Sequence, residues 1–421
     1  MSTEQALLPL FRVHMSDQAI QACTDTLRSG MLTQSERVED FERALSTFLQ
    51  VPQAQCVTVN SCTSALQLAL QLVETGEPSQ NWTGLNTGLY SEILTPSLTC
   101  LATTAAMSHY GHHFTWLDVS PHTACVRLKD LRRKLTAATR VVVLVHWGGL
   151  PPDYAQLHEI LVEHERVHGI YPYVVEDAAH AFGARLHGVA GRPSRHLVAY
   201  SFQAIKLLTT GDGGLLVVPP HLAERARRLR WFGIDRTQRS AHADYRLQAN
   251  VPELGFKYHM NDVNASLGLG NLTEVPGLLE QSRQCAAWYL EALVPLVEDG
   301  HVECVVGSPE QFAHSSCWLF TLRILGGLRD ALQGFLAQHQ VQASRVHGAN
   351  HVHSGAASYA EPHWVLEGTL QLEQERLCVP CGWWVTREDV GRVVQLMTSF
   401  FQANPPRVEA VTDGPVDEAK T

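Results

Sequence analysis

The stretch SFQAIKLLTTGDGG at Ser201–Gly214 follows an apolar run and places Lys206 in a segment rich in hydroxyls and glycines. The stretch VVEDAAHAFGA at Val174–Ala184 places Asp177 directly after an earlier apolar run. Hydroxyls and glycines suit a loop whose backbone approaches a bound anion closely. A lysine that bonds to an aldehyde and a carboxylate that holds a pyridinium nitrogen are the two protein groups that pyridoxal phosphate chemistry needs. The pair therefore predicts a pyridoxal phosphate site.

Strand-like runs alternate with helical patterns on both sides of this pair. This alternation predicts an α/β architecture with a mostly parallel sheet. In such sheets ligands bind beyond the carboxyl ends of the strands, which is where Asp177 and Lys206 fall. The predicted strands are Val57–Asn60, Ile93–Thr95, Phe114–Asp118, Val141–His146, Tyr173–Glu176, Val198–Phe202 and Leu215–Val218.

The pattern changes after a helical stretch at Asp262–Leu293. Val302–Val306 and Trp318–Leu325 resemble strands, and Leu328–Gln340 and Thr386–Gln402 resemble helices, the latter beginning with a capping-box pattern. These elements predict a smaller C-terminal domain. The expected division is an N-terminal segment at 1–35, a large domain at 36–284, a small domain at 285–402 and a disordered tail at 403–421. An irregular insertion is expected at 77–90, which is rich in Gly, Asn, Ser and Thr.

The bulk composition limits the class of protein. The formal charge of −10, from 42 acidic and 32 basic residues, argues against a nucleic-acid or membrane partner. The N-terminus lacks the features of a signal peptide, and no apolar run is long enough to span a bilayer, so a cytoplasmic protein is expected. The ten cysteines are scattered; Cys378 and Cys381 alone have metal-ligand spacing, and no metal site is predicted.

Eight segments in a fixed order make the chain similar to a known family. It resembles the DegT/DnrJ/StrS nucleotide-sugar aminotransferases, which belong to the aspartate aminotransferase superfamily of fold type I. The resemblance implies a seven-stranded, mostly parallel sheet in the large domain and a smaller α/β C-terminal domain. It is carried by SGMLTQSERVEDFERAL, VNSCTSALQLAL, ILTPSLTC, VHWGGLPPD, VVEDAAHAFGA, SFQAIKLLTTGDGG, LRWFGIDR and GFKYHMNDVNASLGL, which lie between about Ser29 and Phe401.

The resemblance assigns Lys206 and Asp177 to catalysis. Leu207 and Leu208 could desolvate the lysine and lower its pKa, and Glu176 is expected to face the other side of the sheet because strand side chains alternate. The resemblance implies further cofactor-binding positions at Ser61, Cys62, Thr63, Cys100, His180, Ser201, Gln203 and Lys257.

Several of these positions depart from the family pattern. Cys62 stands where the family commonly has glycine, His180 where it has glutamine, and Cys100 where an aromatic residue often stacks on the cofactor. Lys257 replaces an asparagine that reaches the phosphate of the neighbouring subunit's cofactor. Lys257 could act there as a charge, and a solvent-facing lysine is the alternative.

The resemblance also implies a nucleotide-linked keto-sugar as substrate, L-glutamate as amino donor, and a homodimer with shared active sites. Candidate substrate residues are Trp147, His347, Asn350 and Trp383, although adjacent tryptophans can also fill a domain interface. A sugar dehydratase of the same family is one alternative, but those members replace the lysine with histidine. A non-catalytic regulator that binds the cofactor is another, but it would be expected to lose Lys206 or Asp177.

Overall fold

The computed structural model describes residues 6–77, 82–84, 91–108, 113–185, 195–235, 251–357, 359 and 364–405. Its strands are β1 (Cys56–Val59), β2 (Thr75–Glu77), β3 (Trp82–Gly84), β4 (Glu92–Pro96), β5 (His113–Leu117), β6 (Thr139–Val145), β7 (Tyr173–Asp177), β8 (His196–Ser201), β9 (Gly214–Val217), β10 (Val302–Cys304), β11 (Phe320–Ile324) and β12 (Arg376–Val379). Its helices are α1 (Asp17–Ser29), α2 (Glu36–Leu49), α3 (Cys62–Glu74), α4 (Leu101–Ser108), α5 (Leu128–Lys134), α6 (Tyr154–His168), α7 (Ala223–Leu229), α8 (Asp262–Leu272), α9 (Val275–Ala292), α10 (Val294–Glu298), α11 (Pro309–His314), α12 (Arg329–Gln338), α13 (Glu367–Glu375) and α14 (Arg387–Ala403).

Seven of the described strands form one sheet in the order β1-β9-β8-β7-β6-β4-β5. The strands β4 to β8 pair in parallel, whereas β9 runs antiparallel to both β8 and β1. Every residue of β6, β7 and β8 is buried. Continuous apolar runs suit such strands because helices cover both faces of a parallel sheet. The predicted fold class, with its mostly parallel seven-stranded sheet, is confirmed.

Alternate residues of one strand enter different cores. In β6, Val141 and Val143 join the core that contains the buried leucines of α3. Val142 and Leu144 join the core on the opposite face, which α6 covers with Leu157 and its neighbours. This two-residue period follows from the pleat of a strand. The sheet therefore lies between two helical layers, and α3 runs directly behind β7, β8 and β9.

A second, antiparallel sheet has the strand order β10-β11-β12. It packs with α9, α12 and α14 around its own buried cluster, which includes Tyr289 and Phe320. Helix α14 begins with the predicted capping box, in which Thr386 and Asp389 bond each other's backbone amides. Leu8, near the start of the chain, also belongs to this cluster. We propose the domain division given above because these two cores are distinct.

Two local predictions are wrong. The segment 77–90 is not simply irregular: β2 and β3 pair antiparallel, with Glu77 opposite Trp82, so backbone pairing overrides its turn-rich composition. Residues 78–81 and 85–90 of that segment lie outside the described residues. The boundary predicted for the tail, residue 403, is also wrong, because Ala403 still belongs to α14. Residues 406–421 lie outside the described residues.

Among the helices of the described residues, none has the length and apolar character that a bilayer span requires.

Candidate active site

A cavity of about 310 Å³ lies at the carboxyl ends of β6, β7 and β8. The last residues of these strands, Val145, Asp177 and Ser201, line it. This is the edge at which open α/β sheets bind ligands. The start of α3 closes one side of the cavity. Trp318, which lies just before β11, and Phe11 of the N-terminal segment close another.

Lys206 enters this cavity from the loop that follows β8. Its backbone N–H donates to the carbonyl of Gln203 at 2.9 Å, so the loop turns back on itself. Burial lowers the pKa of Lys206 from 10.5 to about 8, and the negative charge of Asp177 partly offsets this effect. Leu207 and Leu208 do not provide the burial, because they pack in another core cluster and do not line the cavity. A substantial fraction of the buried amine is therefore neutral near pH 8.

Asp177 ends β7 and is held by three donors. The hydroxyl of Thr103 donates to Oδ2 at 2.6 Å, and the backbone N–H of Ala179 donates to Oδ1 at 3.1 Å. The Cys62 thiol donates to Oδ1 at 3.9 Å; burial, and then the Asp177 charge, raise the pKa of this thiol well above 9.0 and keep it protonated. These contacts fix the carboxylate as an acceptor that faces the cavity.

Glu176, the residue before Asp177, points to the opposite side of the sheet, as the strand period predicts. Its carboxylate lies 2.9 Å from His146 Nε2 and 2.9 Å from His196 Nδ1. Tyr154 donates its hydroxyl to the same carboxylate at 2.5 Å. Glu176 is therefore committed to a buried network behind the sheet, and Asp177 is the carboxylate available to a ligand.

The N-terminus of α3 forms an anion cradle beside these two residues. Ser61, Cys62 and Thr63 line the cavity there, and the Ser61 hydroxyl accepts from the backbone N–H of Ser64 at 3.1 Å. A β-carbon on Gly214 would lie 2.6 Å from the Ser61 carbonyl carbon, so glycine is required for β9 to pass this turn. The free amides and the helix dipole at such a terminus attract a phosphate.

Aromatic rings form the wall that faces Lys206. His180 stacks on Trp318 at 4.0 Å between ring centroids and on His347 at 5.4 Å. Burial lowers the pKa of His180 well below 6.5 and that of His347 to about 4, and the Lys206 charge adds to both effects. Both rings are therefore neutral at pH 7. Trp147 stands edge-on to both, at 6.3 and 6.0 Å.

Two buried ring atoms in this wall, Nδ1 of His180 and Nε2 of His347, have no hydrogen-bond partner in the structure. Buried polar atoms normally have partners, so these atoms indicate a polar ligand. Together with the carboxylate, the low-pKa lysine and the anion cradle, they fit a compact group that carries a phosphate, an aldehyde and a ring nitrogen. Pyridoxal phosphate has these features.

The structure brings most of the predicted site residues together. The cavity lining contains Ser61, Cys62, Thr63, Cys100, Trp147, Asp177, His180, Ser201, Gln203, Lys206 and His347.

The remaining predicted residues lie elsewhere. Asn350 is buried beside the cavity, where its amide donates to the Thr104 hydroxyl at 2.8 Å. Trp383 packs against the N-terminal segment, 5.5 Å below the Arg12 guanidinium. Lys257 is exposed and does not line the cavity of its own chain.

Cys378 and Cys381 are buried free thiols that do not line this cavity. Among the described residues, no group of three or more His, Cys, Asp or Glu side chains is arranged to hold a metal ion.

Three important residues were not predicted from the sequence. Thr103 orients Asp177, Trp318 lies over the Lys206 amine, and Phe11 stacks on Trp318 at 4.9 Å. Thr103 lies close after the predicted Cys100 and could have been found from helical spacing. Phe11 and Trp318 carry no local signal, because they lie far from Lys206 along the chain.

Known proteins share both the sequence and the fold of this chain. The family model of the DegT/DnrJ/EryC1/StrS aminotransferases matches residues 13–398. The dTDP-4-dehydro-2,3,6-trideoxy-D-glucose 4-aminotransferase of Saccharopolyspora spinosa is 29% identical over 308 residues, which are 70% of this chain and 75% of that protein.

Two crystal structures are similar over nearly the whole chain. AtS13 from Actinomadura melliaura is 36% identical with a TM-score of 0.82, covering 94% of this chain and 99% of its own. The sugar aminotransferase CalS13 from Micromonospora echinospora is 31% identical with a TM-score of 0.81, covering 93% and 100%. With the cavity residues above, these similarities show that the chain belongs to the DegT/DnrJ/EryC1/StrS aminotransferase family and is a pyridoxal-phosphate-dependent aminotransferase.

Proposed function

We propose that this enzyme transfers an amino group from L-glutamate to the keto group of a nucleotide-linked keto-deoxysugar. The observation that carries the proposal is the cavity that joins Lys206, Asp177 and the start of α3. The Saccharopolyspora spinosa relative, whose name specifies a dTDP-linked keto-deoxysugar, supports the sugar class. The product would be an amino sugar for glycan or glycoconjugate synthesis.

Lys206 and Asp177 have the chemical roles in this proposal. Lys206 would hold the cofactor covalently and, when released, its amine would carry the proton that moves during amino transfer. Asp177 would hold the protonated ring nitrogen, because Thr103 and Ala179 already orient its carboxylate. When bound, pyridoxal phosphate supplies the group that accepts the amine and withdraws electrons from the reacting carbon.

The remaining groups would bind the cofactor phosphate and ring. The amides of Ser61, Cys62 and Thr63 at the start of α3, with the Ser201 hydroxyl, would hold the phosphate. His180 would offer one ring nitrogen to the cofactor, since its Nδ1 has no partner. Cys100 and Gln203 also line the cavity and would contact the cofactor.

The aromatic wall would bind the sugar. Trp147 and His347 form part of it, and both rings are uncharged at pH 7. An apolar face with a few hydrogen-bonding atoms suits a deoxygenated sugar better than a highly hydroxylated one, because each buried hydroxyl needs a partner. Asn350 would support this wall from behind, and Trp383 would hold the N-terminal segment against it.

We also propose a homodimer in which each cofactor site borrows Lys257 from the other subunit. Lys257 is exposed in its own chain, and near it lie exposed apolar side chains, Phe232 at 42% and Leu254 at 84% exposure. A twofold contact through this surface would bury these apolar side chains on both subunits. A cofactor phosphate held across the contact would stabilise the dimer by mass action.

The experiment is an assay with a dTDP-linked 4-keto-6-deoxysugar and L-glutamate, with mass spectrometry of the sugar product and measurement of 2-oxoglutarate. The expected result is an amino sugar formed in equal amount with 2-oxoglutarate. Lys206→Ala should fold but lose turnover by several orders of magnitude. After borohydride reduction, the cofactor mass should be found on the peptide that contains Lys206. Attachment to another residue, or normal turnover by Lys206→Ala, would refute the proposed site.

Mixed dimers test the shared site. Lys206→Ala chains and Lys257→Ala chains, each weakened alone, should regain activity when mixed, because one site of each mixed dimer has both lysines. Random mixing would restore about a quarter of the sites. Lys129→Ala, which removes another exposed lysine, is the matched control and should be fully active alone. A fully active monomer would refute the dimer proposal.

A further inference from the structure

Trp318 connects the second sheet to the loop that carries Lys206. Its backbone N–H donates to the Gly148 carbonyl at 2.9 Å, and its indole N–H donates to the Ile205 carbonyl at 3.1 Å. Only 8% of the residue is exposed. The indole therefore holds the backbone of the residue directly before Lys206.

The same side chain also contacts the amine. Lys206 Nζ lies 3.7 Å from the centroid of the Trp318 ring. Indole is the aromatic group that attracts an ammonium most strongly, and the attraction grows when water is excluded. Phe11 and His180 stack on the ring with interplanar angles of 20° and 24°, so the plane of the indole is fixed.

We propose that Trp318 is a positioning residue for Lys206: its N–H fixes the loop, and its ring holds the amine in the cavity whenever that amine is not bonded to the cofactor. The inference rests on the proposed catalytic role of Lys206. In an aminotransferase the lysine must be released and must rejoin the cofactor during each cycle, so its free amine needs a defined position. A tryptophan that only filled space would need neither contact.

Other groups also influence the charge of the amine. Burial opposes the charged form, whereas the ring of Trp318 favours it. The titratable side chains that line the cavity around Lys206 in the described chain are Cys62, Cys100, Asp177, His180, Asp212 and His347. Substitution of Trp318 by leucine leaves all of these in place and retains an apolar side chain. The change removes both contacts of the indole, the ring beside the amine and the N–H that holds Ile205, while the other charges around Lys206 stay in place.

Nuclear magnetic resonance of lysine-labelled protein can test the inference without turnover. The chain contains five lysines, so Lys206 can be assigned with a Lys206→Arg variant; they are Lys129, Lys134, Lys206, Lys257 and Lys420. In the cofactor-free protein the ring current of Trp318 should shift the Cε protons of Lys206 upfield of those of the exposed lysines. Trp318→Leu should abolish this shift and lower the pKa of Lys206 by about one unit, because the attraction of the ring is lost.

Trp318→Phe separates the contact of the ring with the amine from the hydrogen bond to Ile205. It also provides a second variant in case Trp318→Leu does not fold. It keeps a ring, so part of the upfield shift should remain, but it removes the N–H that holds Ile205. Trp384→Phe is the matched control, because the Trp384 indole N–H also donates to a backbone carbonyl, that of Pro9, at 3.1 Å and lies outside the cavity. It should leave the Lys206 signals unchanged.

Kinetics complete the experiment. Trp318→Leu should lower kcat about tenfold while leaving the KM for glutamate within about threefold, as expected when a group acts on the chemical step rather than on binding. A Lys206 signal or pKa that does not change in Trp318→Leu, or a pKa that rises, would overturn this inference alone. Borohydride attachment of the cofactor to a residue other than Lys206 would instead overturn the proposed function.

Discussion

The rate at which cofactor-free enzyme takes up pyridoxal phosphate covalently should follow the pKa of Lys206. Burial lowers this pKa from 10.5 to about 8, and Asp177 limits the decrease. Only the neutral amine attacks an aldehyde. At pH 7 about 10% of an amine with a pKa of 8 is neutral, against about 0.03% at a pKa of 10.5, a difference of about 300-fold. The uptake rate should rise almost tenfold from pH 6 to pH 7, about fivefold from pH 7 to pH 8, and become constant above about pH 9.

The assay mixes cofactor-free enzyme with pyridoxal phosphate at pH 6 to 10. Samples are withdrawn over time into borohydride at one fixed pH, and the mass of the Lys206 peptide is measured. Lys206→Arg is the control, since its guanidinium stays charged and should gain no mass. A midpoint near 10.5, or a rate independent of pH, would refute the claim that burial sets the reactivity of Lys206.

The lowered pKa of Lys206 also affects the stability of the folded protein. A lysine whose pKa is about 8 when folded and about 10.4 when unfolded destabilises the cofactor-free protein by roughly 3 kcal/mol below pH 8. This penalty disappears as pH rises towards 10.5, because the unfolded chain then also loses the proton. Lys206→Met should therefore raise the melting temperature of cofactor-free protein at pH 7 but hardly at pH 10.5. An equal effect at both pH values would indicate a packing change instead.

Three further substitutions test other parts of the structure. Gly214→Ala should weaken cofactor retention, measured by dialysis, because its β-carbon would lie 2.6 Å from the Ser61 backbone. Thr103→Val should lower kcat/KM about tenfold or more while keeping the fold, because Asp177 loses its 2.6 Å donor. Glu42→Gln should lower the free energy of unfolding by about 3 kcal/mol, measured in urea, because it breaks a buried ion-pair network.

Each of these substitutions has a control or an outcome that would contradict it. Gly334→Ala meets nothing within 4 Å and should leave cofactor retention unchanged. Thr99→Val removes the hydroxyl that is hydrogen-bonded to the Thr103 hydroxyl, and it should lower kcat/KM less than Thr103→Val does. For Glu42 the check is pH. Burial raises the pKa of this carboxyl, but the charges of Arg230 and Arg227 outweigh burial and hold the pKa below 4.5. The contribution of Glu42 to the free energy of unfolding should therefore be present above pH 4.5 and be lost below it. A contribution that does not decrease on acidification would contradict this.

The sequence alone predicted the class of fold, which is confirmed, and the two residues at the centre of the candidate site. The strands predicted from apolar runs begin and end within two residues of the observed strands. This agreement arises because a strand that is buried on both faces of a sheet requires a continuous apolar run. Lys206 and Asp177 were recognisable because Asp177 lies at the end of one strand and Lys206 lies in the loop after the next. The carboxyl ends of neighbouring strands meet at one edge, so a local pattern was sufficient to predict that Lys206 and Asp177 lie together.

The tertiary structure decided what the sequence could not. It placed Phe11 and Trp318 in the cavity although they lie far from Lys206 along the chain. It also showed that Leu207 and Leu208, the neighbours of Lys206 in sequence, belong to another core. Burial and electrostatic interaction depend on every group packed around an atom. The pKa of Lys206 and the neutral state of His180 are therefore set by contacts that only the folded chain creates.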